Sequence, residues 1–240
     1  MKKSVFFVAS MLLTTTLLAQ KQIDDANAEV RTVGSFHGIK VSNGITVYLT
    51  QGNSEMVAVS ANEVEVRNKI ITRVENGILK IYYDEDDWKF WKNFNNKKSR
   101  AYVSVKEIDK IQATSGSDVR LEGLLKAGNL RMDASSGASI NGKLEASSLE
   151  VDQSSGSVIT ISGNISGNLK VDGSSGSVFR GYDLTVENCD AETSSGAGVQ
   201  VTVNKELKVQ ASSGGYIHYK GNALIRDVHT SSGGSVSRKS

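Results

Sequence analysis

A Ser-Ser-Gly signature recurs seven times from residue 114 onwards, and this repeat limits the possible folds more than any other feature of the chain. Thr114 replaces the first serine in the first copy. Successive glycines are 18 to 21 residues apart, and such a narrow period indicates one structural unit repeated with little room for insertions. The glycines of the signature are Gly116, Gly137, Gly156, Gly176, Gly196, Gly214 and Gly233.

The residues before each signature alternate between apolar and polar side chains. This period of two is typical of a strand with one buried face. A second apolar column lies two residues further upstream and is broken only by Asp109 and Arg226, in the terminal copies, which we interpret as caps. The apolar residues three positions before the signatures are Ile111, Met132, Val151, Val171, Ala191, Val209 and Val228.

The repeat length predicts how the strands are arranged. About 20 residues of extended chain, at roughly 3.3 Å each, can close one turn of a coil with two or three short strands. Glycine permits a positive φ at a corner, and the absence of proline suits stacked strands. We therefore predict an all-β fold, a right-handed parallel β-helix or solenoid with coils of about 20 residues marked by Ser-Ser-Gly corners. The right hand is the default for parallel crossovers.

The chain before the repeat is β-rich but does not follow the same period. From residue 33 onwards we divide the chain into an N-terminal β-rich part or cap at 33–107 and solenoid repeats at 108–240. A solenoid needs its ends covered, which is why we expect the first part to combine initial coils with a cap. The predicted elements are strands at 36–41, 45–50, 56–60, 78–82 and 102–105 and a short helix at 63–70.

Two runs in this part carry a family resemblance. The sequences Phe36-His37-Gly38-Ile39 and Gly44-Ile45-Thr46-Val47-Tyr48-Leu49, followed by the Ser-Gly corners, resemble the GIN-domain family of putative autotransporter adhesin heads. The resemblance extends from about residue 33 to the C-terminus. It implies an all-β, right-handed solenoid exported by Bacteroidetes-like bacteria, with adhesion as the implied role.

The first 19 residues predict export. Lys2 and Lys3 precede an apolar run at 5–19 that contains no charged residue, as in a secretory signal peptide. We predict that the mature chain begins at Gln20, that 20–32 is a linker, and that no membrane span remains after cleavage. The expected location is the periplasm or the cell surface.

Several function classes are disfavoured by the sequence. Without Lys2 and Lys3 the basic and acidic residues are equal in number, which argues against nucleic-acid binding. No cofactor motif, metal-spaced histidines or Gly-x-Ser-x-Gly elbow occurs. Cys189 lies in an apolar column and is expected to be a small buried residue. Short coils also leave no loops to wall a catalytic groove.

We therefore predict a non-enzymatic envelope or cell-surface protein, an adhesin or binding module whose partner is a glycan or another envelope protein. The alternative is a carbohydrate-active enzyme, a polysaccharide lyase or hydrolase, because such enzymes also use parallel β-helices.

One outward column contains four consecutive acids. Stacked strands would place them about 4.8 Å apart. They form either a solvated face, balanced by the neighbouring charged column, or a weak site for a divalent cation. The four candidates are Asp133, Asp152, Asp172 and Glu192.

An aromatic segment interrupts the β pattern between the acidic run at 84–87 and the basic residues at 97–100. Its side chains are predicted either to cover the open end of the coil stack or to contact a glycan or partner. The residues are Trp88, Phe90, Trp91 and Phe94.

Overall fold

A computed structural model of the chain describes residues 25–84 and 98–240. This part is almost entirely β and forms a β-solenoid of about six turns with parallel stacking, which confirms the predicted fold class. The elements are β1 Glu29–Val30, β2 Gly38–Val41, β3 Thr46–Gln51, β4 Met56–Ala61, α1 Val64–Asn68, β5 Ile70–Glu75, β6 Ile78–Tyr83, β7 Ser99–Val105, β8 Lys110–Ala113, β9 Asp118–Ala134, β10 Ser139–Gln153, β11 Val158–Gly173, β12 Val178–Thr193, β13 Gly198–Ala211, β14 Tyr216–Lys220, β15 Leu224–Thr230 and β16 Ser235–Arg238.

Strands β9 to β13 each wind once around the solenoid. They run 14 to 17 residues, and register shifts such as those after Thr160 and Ile165 divide each into shorter segments that face in different directions. Equivalent residues of successive coils are paired, so Val151 lies between Met132 and Val171. The predicted apolar column is fully buried in these coils, at Met132, Val151, Val171, Ala191 and Val209.

The Ser-Ser-Gly corners are tight turns with two residues in the left-handed region. In one copy Ser175 has a φ of 52° and Gly176 a φ of 69°, and the Ser177 N–H donates to the Ser174 carbonyl at 3.1 Å. Two consecutive positive φ angles are the mark of a type I′ turn. The sequence predicted this conformation for the glycine but not for the serine. Coils are joined at this point, because the Gly176 N–H donates to the Ser195 carbonyl at 3.0 Å.

The second serine of each corner adopts a conformation that is costly for most residues and cheaper for asparagine. We expect Ser175→Asn to raise the free energy of unfolding by about 0.5 kcal/mol, which corresponds to about 1–2 °C in the thermal midpoint. Ser174→Asn is the matched control, since Ser174 has no positive φ. An equal change in the thermal midpoint of the two variants would contradict this explanation.

The first coil of the solenoid contains an additional corner of the same kind. Asn43 and Gly44 have φ angles of 61° and 71°, and the Gly44 N–H donates to the Ser115 carbonyl at 3.0 Å. Strands β2 and β3, on either side of this corner, stack in parallel on β8 and β9. The Asn-Gly pair therefore starts the ladder of corners that the serines continue.

The N-terminal end of the solenoid is covered. Strands β6 and β7 stack in parallel on the far sides of β2 and β3. Antiparallel β5 then pairs with β6, β4 with β7, and β1 with β4. Helix α1 is shorter than the helix predicted at 63–70. The domain boundaries themselves stay predictions, and residues 1–24, which include the predicted signal peptide, lie outside the described residues.

The segment that leads into β1 is held by polar contacts. The Tyr102 hydroxyl donates to the Asp25 carboxylate at 2.8 Å, and Glu29 pairs with Arg67 at 2.7 Å and with Arg31 at 2.9 Å. Burial, together with the smaller effect of the Asp25 carboxylate, raises the pKa of Tyr102 to about 12. In the described ranges no helix is long and apolar enough to cross a bilayer.

The last coil departs from the sequence alignment by one residue. A register shift after Leu207 pairs this residue with Ile225, whereas Lys208 pairs with Asp227. Arg226 is therefore the extra residue of a bulge and not a charged cap in the second apolar column. Ile225, which pairs with Leu207, continues this column into the last coil.

Candidate functional site

A groove of about 890 Å³ runs along one side of the solenoid, beside the corners. It follows from the alternation of side chains along each strand. Asp152 and Ser154 point outwards on either side of Gln153, whose side chain points inwards, so two outward columns enclose a strip of backbone. One wall carries acidic and amide side chains, and the other carries the first hydroxyl of each corner. The hydroxyl wall consists of Thr114, Ser135, Ser154, Ser174, Ser194, Ser212 and Ser231.

This groove corrects the expectation that short coils leave none. Its walls are not loops but two columns of side chains where each strand bends into its corner. The sequence did contain a signal, because the residue between the two walls is small in nearly every coil. These floor residues are Ala113, Ala134, Gln153, Gly173, Thr193, Ala211 and Thr230.

The four acidic candidates form a continuous row in the groove wall. Asp152 lies opposite Asp133 on one side and Asp172 on the other, and Asp172 lies opposite Glu192. The structure thus brings together the residues that the sequence singled out. Neutral and basic residues extend the row at both ends, namely Lys40 and Gln112 before it and Gln210 and His229 after it.

Cations from the neighbouring column contact part of this row. Arg131 pairs with Asp133 at 2.9 Å and also with Asp152 of the next coil, and Lys170 pairs with Asp172 at 2.9 Å. Glu192 forms no ion pair within residues 25–84 and 98–240. The negative charge is therefore compensated at one end of the row and uncompensated at the other.

The pKa of Asp152 reflects its position in the middle of the row. Partial burial raises this pKa above its usual value, and the carboxylates of Asp133 and Asp172 raise it further, while Arg131 opposes them. A raised carboxyl pKa means that folding favours the neutral form more than the unfolded chain does. The charge of Asp152 consequently lowers the stability of the fold at neutral pH, as is common for groups retained for binding.

Within the described ranges, no group of three or more His, Cys, Asp and Glu residues is arranged to hold a metal ion. The row of acids is included in this statement, because its side chains extend along the groove and do not converge on one point. Cation binding by Asp133, Asp152, Asp172 and Glu192 therefore stays a hypothesis without geometric support.

Gln153 is an unusual residue beneath the floor of the groove. Its side chain is only 4% exposed, and neither Nε2 nor Oε1 has a hydrogen-bond partner among the described residues. The coils on either side carry Ala134 and Gly173 at this position, which leaves room for the longer side chain. Its polar end thus lies in the core and not in the groove.

The remaining candidates do not join the groove. Burial raises the pKa of the Cys189 thiol to about 12, which keeps it neutral and unsuited to nucleophilic attack. The histidines His37 and His218 do not line the groove, and His37 pairs with Asp109 at 2.8 Å. The aromatic candidates Trp88, Phe90, Trp91 and Phe94 lie outside the described residues, between β6 and β7.

A family model matches most of the chain. The family is described as putative auto-transporter adhesin, head GIN domain, and the match covers residues 35–223. It therefore includes the N-terminal coils, the cap and nearly all of the repeats. A search of curated proteins finds no match.

Solved structures share the fold at low sequence identity. A putative adhesin from Bacteroides fragilis superposes with a TM-score of 0.78 at 14% identity, over 88% of this chain and 96% of that one. A putative adhesin from Parabacteroides merdae gives 0.64 at 16% identity, over 89% and 95%. A putative lipid binding protein from Parabacteroides distasonis gives 0.62 at 17% identity, over 90% and 98%. At such low sequence identity, these similarities show a shared fold.

Proposed function

The chain belongs to the head GIN domain family of putative auto-transporter adhesins, and from this premise we propose that it is an exported, non-enzymatic protein of the bacterial envelope or cell surface that acts by binding. The family and the fold support a binding role, and the predicted signal peptide supports export. The enzyme alternative has no support, since the groove contains carboxylates that are spread along a row and no base paired with a nucleophile.

The groove is the observation that carries the proposal. It is lined by carboxylates and amides on one wall and by hydroxyl groups on the other, and the lining repeats with every coil. Such groups donate and accept hydrogen bonds, and they contribute a large share of the lining surface. A glycan, an extended ligand rich in hydroxyl groups, matches this lining better than an apolar ligand, which needs a mostly hydrophobic pocket. The proposed partner is therefore a glycan.

The test is binding of the purified protein to a glycan array, followed by calorimetry on the glycans that bind. Hydrogen bonds to charged groups contribute about 1.5–3 kcal/mol each, so Asp152→Asn combined with Asp172→Asn should weaken binding at least about tenfold. The variant also removes the ion pairs to Arg131 and Lys170, so its thermal midpoint is measured to show that lost binding does not reflect unfolding.

Asp183→Asn combined with Asp190→Asn is the matched control, because both residues lie on β12 and outside the groove lining. Binding that survives the groove variant, or an array with no binding glycan, would contradict the proposal and favour a protein partner. The experiment is run with calcium and with a chelator. A calcium requirement that disappears in the groove variant would assign the row of acids a metal-binding role.

A further inference from the structure

The C-terminal end of the solenoid is open. Strands β15 and β16 form the last coil and pair with β13 and β14 on one side only, and no strand of the described ranges pairs with their outer edges. Ile225 and Val228 continue the buried columns of Leu207 and Val209, yet each is 43% exposed here. Leu224, which pairs with Glu206, is 55% exposed. An apolar, unpaired edge of this kind is a template for pairing with another strand.

The two ends of the solenoid differ in this respect. At the N-terminal end, β5 and β4 run antiparallel to the outermost coil, and β1 pairs with β4 beyond it. The C-terminal end of one copy therefore cannot extend the parallel stack at the N-terminal end of another. A contact between two C-terminal ends, in contrast, is closed and two-fold symmetric.

Strand β15 is complementary to itself in such a contact. Its bulge places two residues, Arg226 and Asp227, between the core-facing residues Ile225 and Val228. If a two-fold axis passes between Arg226 and Asp227, an antiparallel copy places Ile225 opposite Val228 and Arg226 opposite Asp227. Both apolar pairs and both ion pairs are then favourable, since residues directly opposite each other in antiparallel strands interact.

We infer that two copies of this chain form a dimer by antiparallel pairing of β15 at their C-terminal ends. The dimer covers Ile225 and Val228 of the last coil and removes the open edge of β15 in both copies. This inference is independent of the ligand proposed for the groove.

The test uses charge exchange at the centre of the interface. In Arg226→Asp both central positions carry acidic side chains, and in Asp227→Arg both carry guanidinium groups. Each variant alone should dimerise at least about tenfold more weakly. The contact is two-fold symmetric, so a single substitution changes both attractive ion pairs into repulsive pairs. A mixture of the two variants should form a heterodimer, since each restores the complement of the other. Sedimentation equilibrium on the wild type, both variants and the mixture measures these states.

The mixture also separates dimerisation from local damage. Arg226 pairs with Glu206 of its own chain at 2.6 Å, so Arg226→Asp perturbs that contact as well. Only an interface between copies predicts rescue by the second variant. Arg180→Asp, on an outward position of β12, is the control and should leave the dimer unchanged. A wild type that is monomeric at every concentration, an open-ended assembly, or a mixture without heterodimer would each overturn the inference.

Discussion

Replacing Val171 with aspartate is expected to lower the free energy of unfolding by about 3 kcal/mol or more. Val171 is fully buried, and its neighbours in the stack, Val151 and Ala191, are also apolar and fully buried. The new carboxylate would have no cation and no hydrogen-bond donor within this column. Its desolvation is therefore uncompensated, and the thermal midpoint should fall by about 6 °C or more.

Thr160→Asp is the matched control for this variant. Thr160 lies on the same strand, β11, but is exposed, and its register neighbour on the next coil is Arg180. The same substitution should here change stability by no more than about 0.5 kcal/mol. Urea unfolding followed by circular dichroism measures both values. Equal destabilisation of the two variants would show that the alternation of buried and exposed faces has been assigned incorrectly.

Gly163→Ala is expected to be similarly damaging for a different reason. Gly163 has a φ of 121°, and a Cβ at this position would lie 2.1 Å from the carbonyl oxygen of Leu144 on the preceding coil. The neighbouring atom belongs to the backbone of a hydrogen-bonded strand, so it cannot move aside without separating two coils. We expect a loss of about 3 kcal/mol or more in the free energy of unfolding.

Gly156→Ala separates this steric effect from backbone strain. Gly156 also has a positive φ, of 70°, but a Cβ at this position would have no other atom within 4 Å, because it would point to the open side of the corner. Left-handed backbone alone costs about 1–2 kcal/mol for alanine. The serine preceding each corner glycine already tolerates a φ near 50°. If thermal unfolding gave the same midpoint for both variants, close packing of coils at Gly163 would not explain its presence.

The repeating coils could be predicted from the sequence because two local signals coincide in them. Alternation identifies the buried face, and the constant spacing of glycines identifies the residues that stack. Neither signal identifies the coil built from β2 and β3. Its corner at Asn43 and Gly44 is far from Ser115 in sequence, although the two are hydrogen-bonded. The chain forms β4 to β7 before β8 and β9 pair with β2 and β3, and such non-local pairing leaves no period in the sequence.

The candidate site was predictable only in part. The row of four acids follows directly from the repeat, and the structure places them side by side. The groove was missed because its concavity depends on the angle at which each strand enters its corner. The bridging of Asp133 and Asp152 by Arg131 was also beyond the sequence, since it depends on the rotamer of one long side chain.

The core also fixes the position of the groove, because both are formed by alternate residues of the same strand segments. A shift of register by one residue would exchange the acidic row for the apolar column. In the interior coils the register shifts lie outside the segments that line the groove: β10 and β11 are paired without interruption from Leu149 to Gln153, and β12 and β13 from Cys189 to Thr193. Irregularities such as those at Gly163 occur on the other faces. The packing of residues such as Val171 thereby holds Asp152 and Asp172 in line.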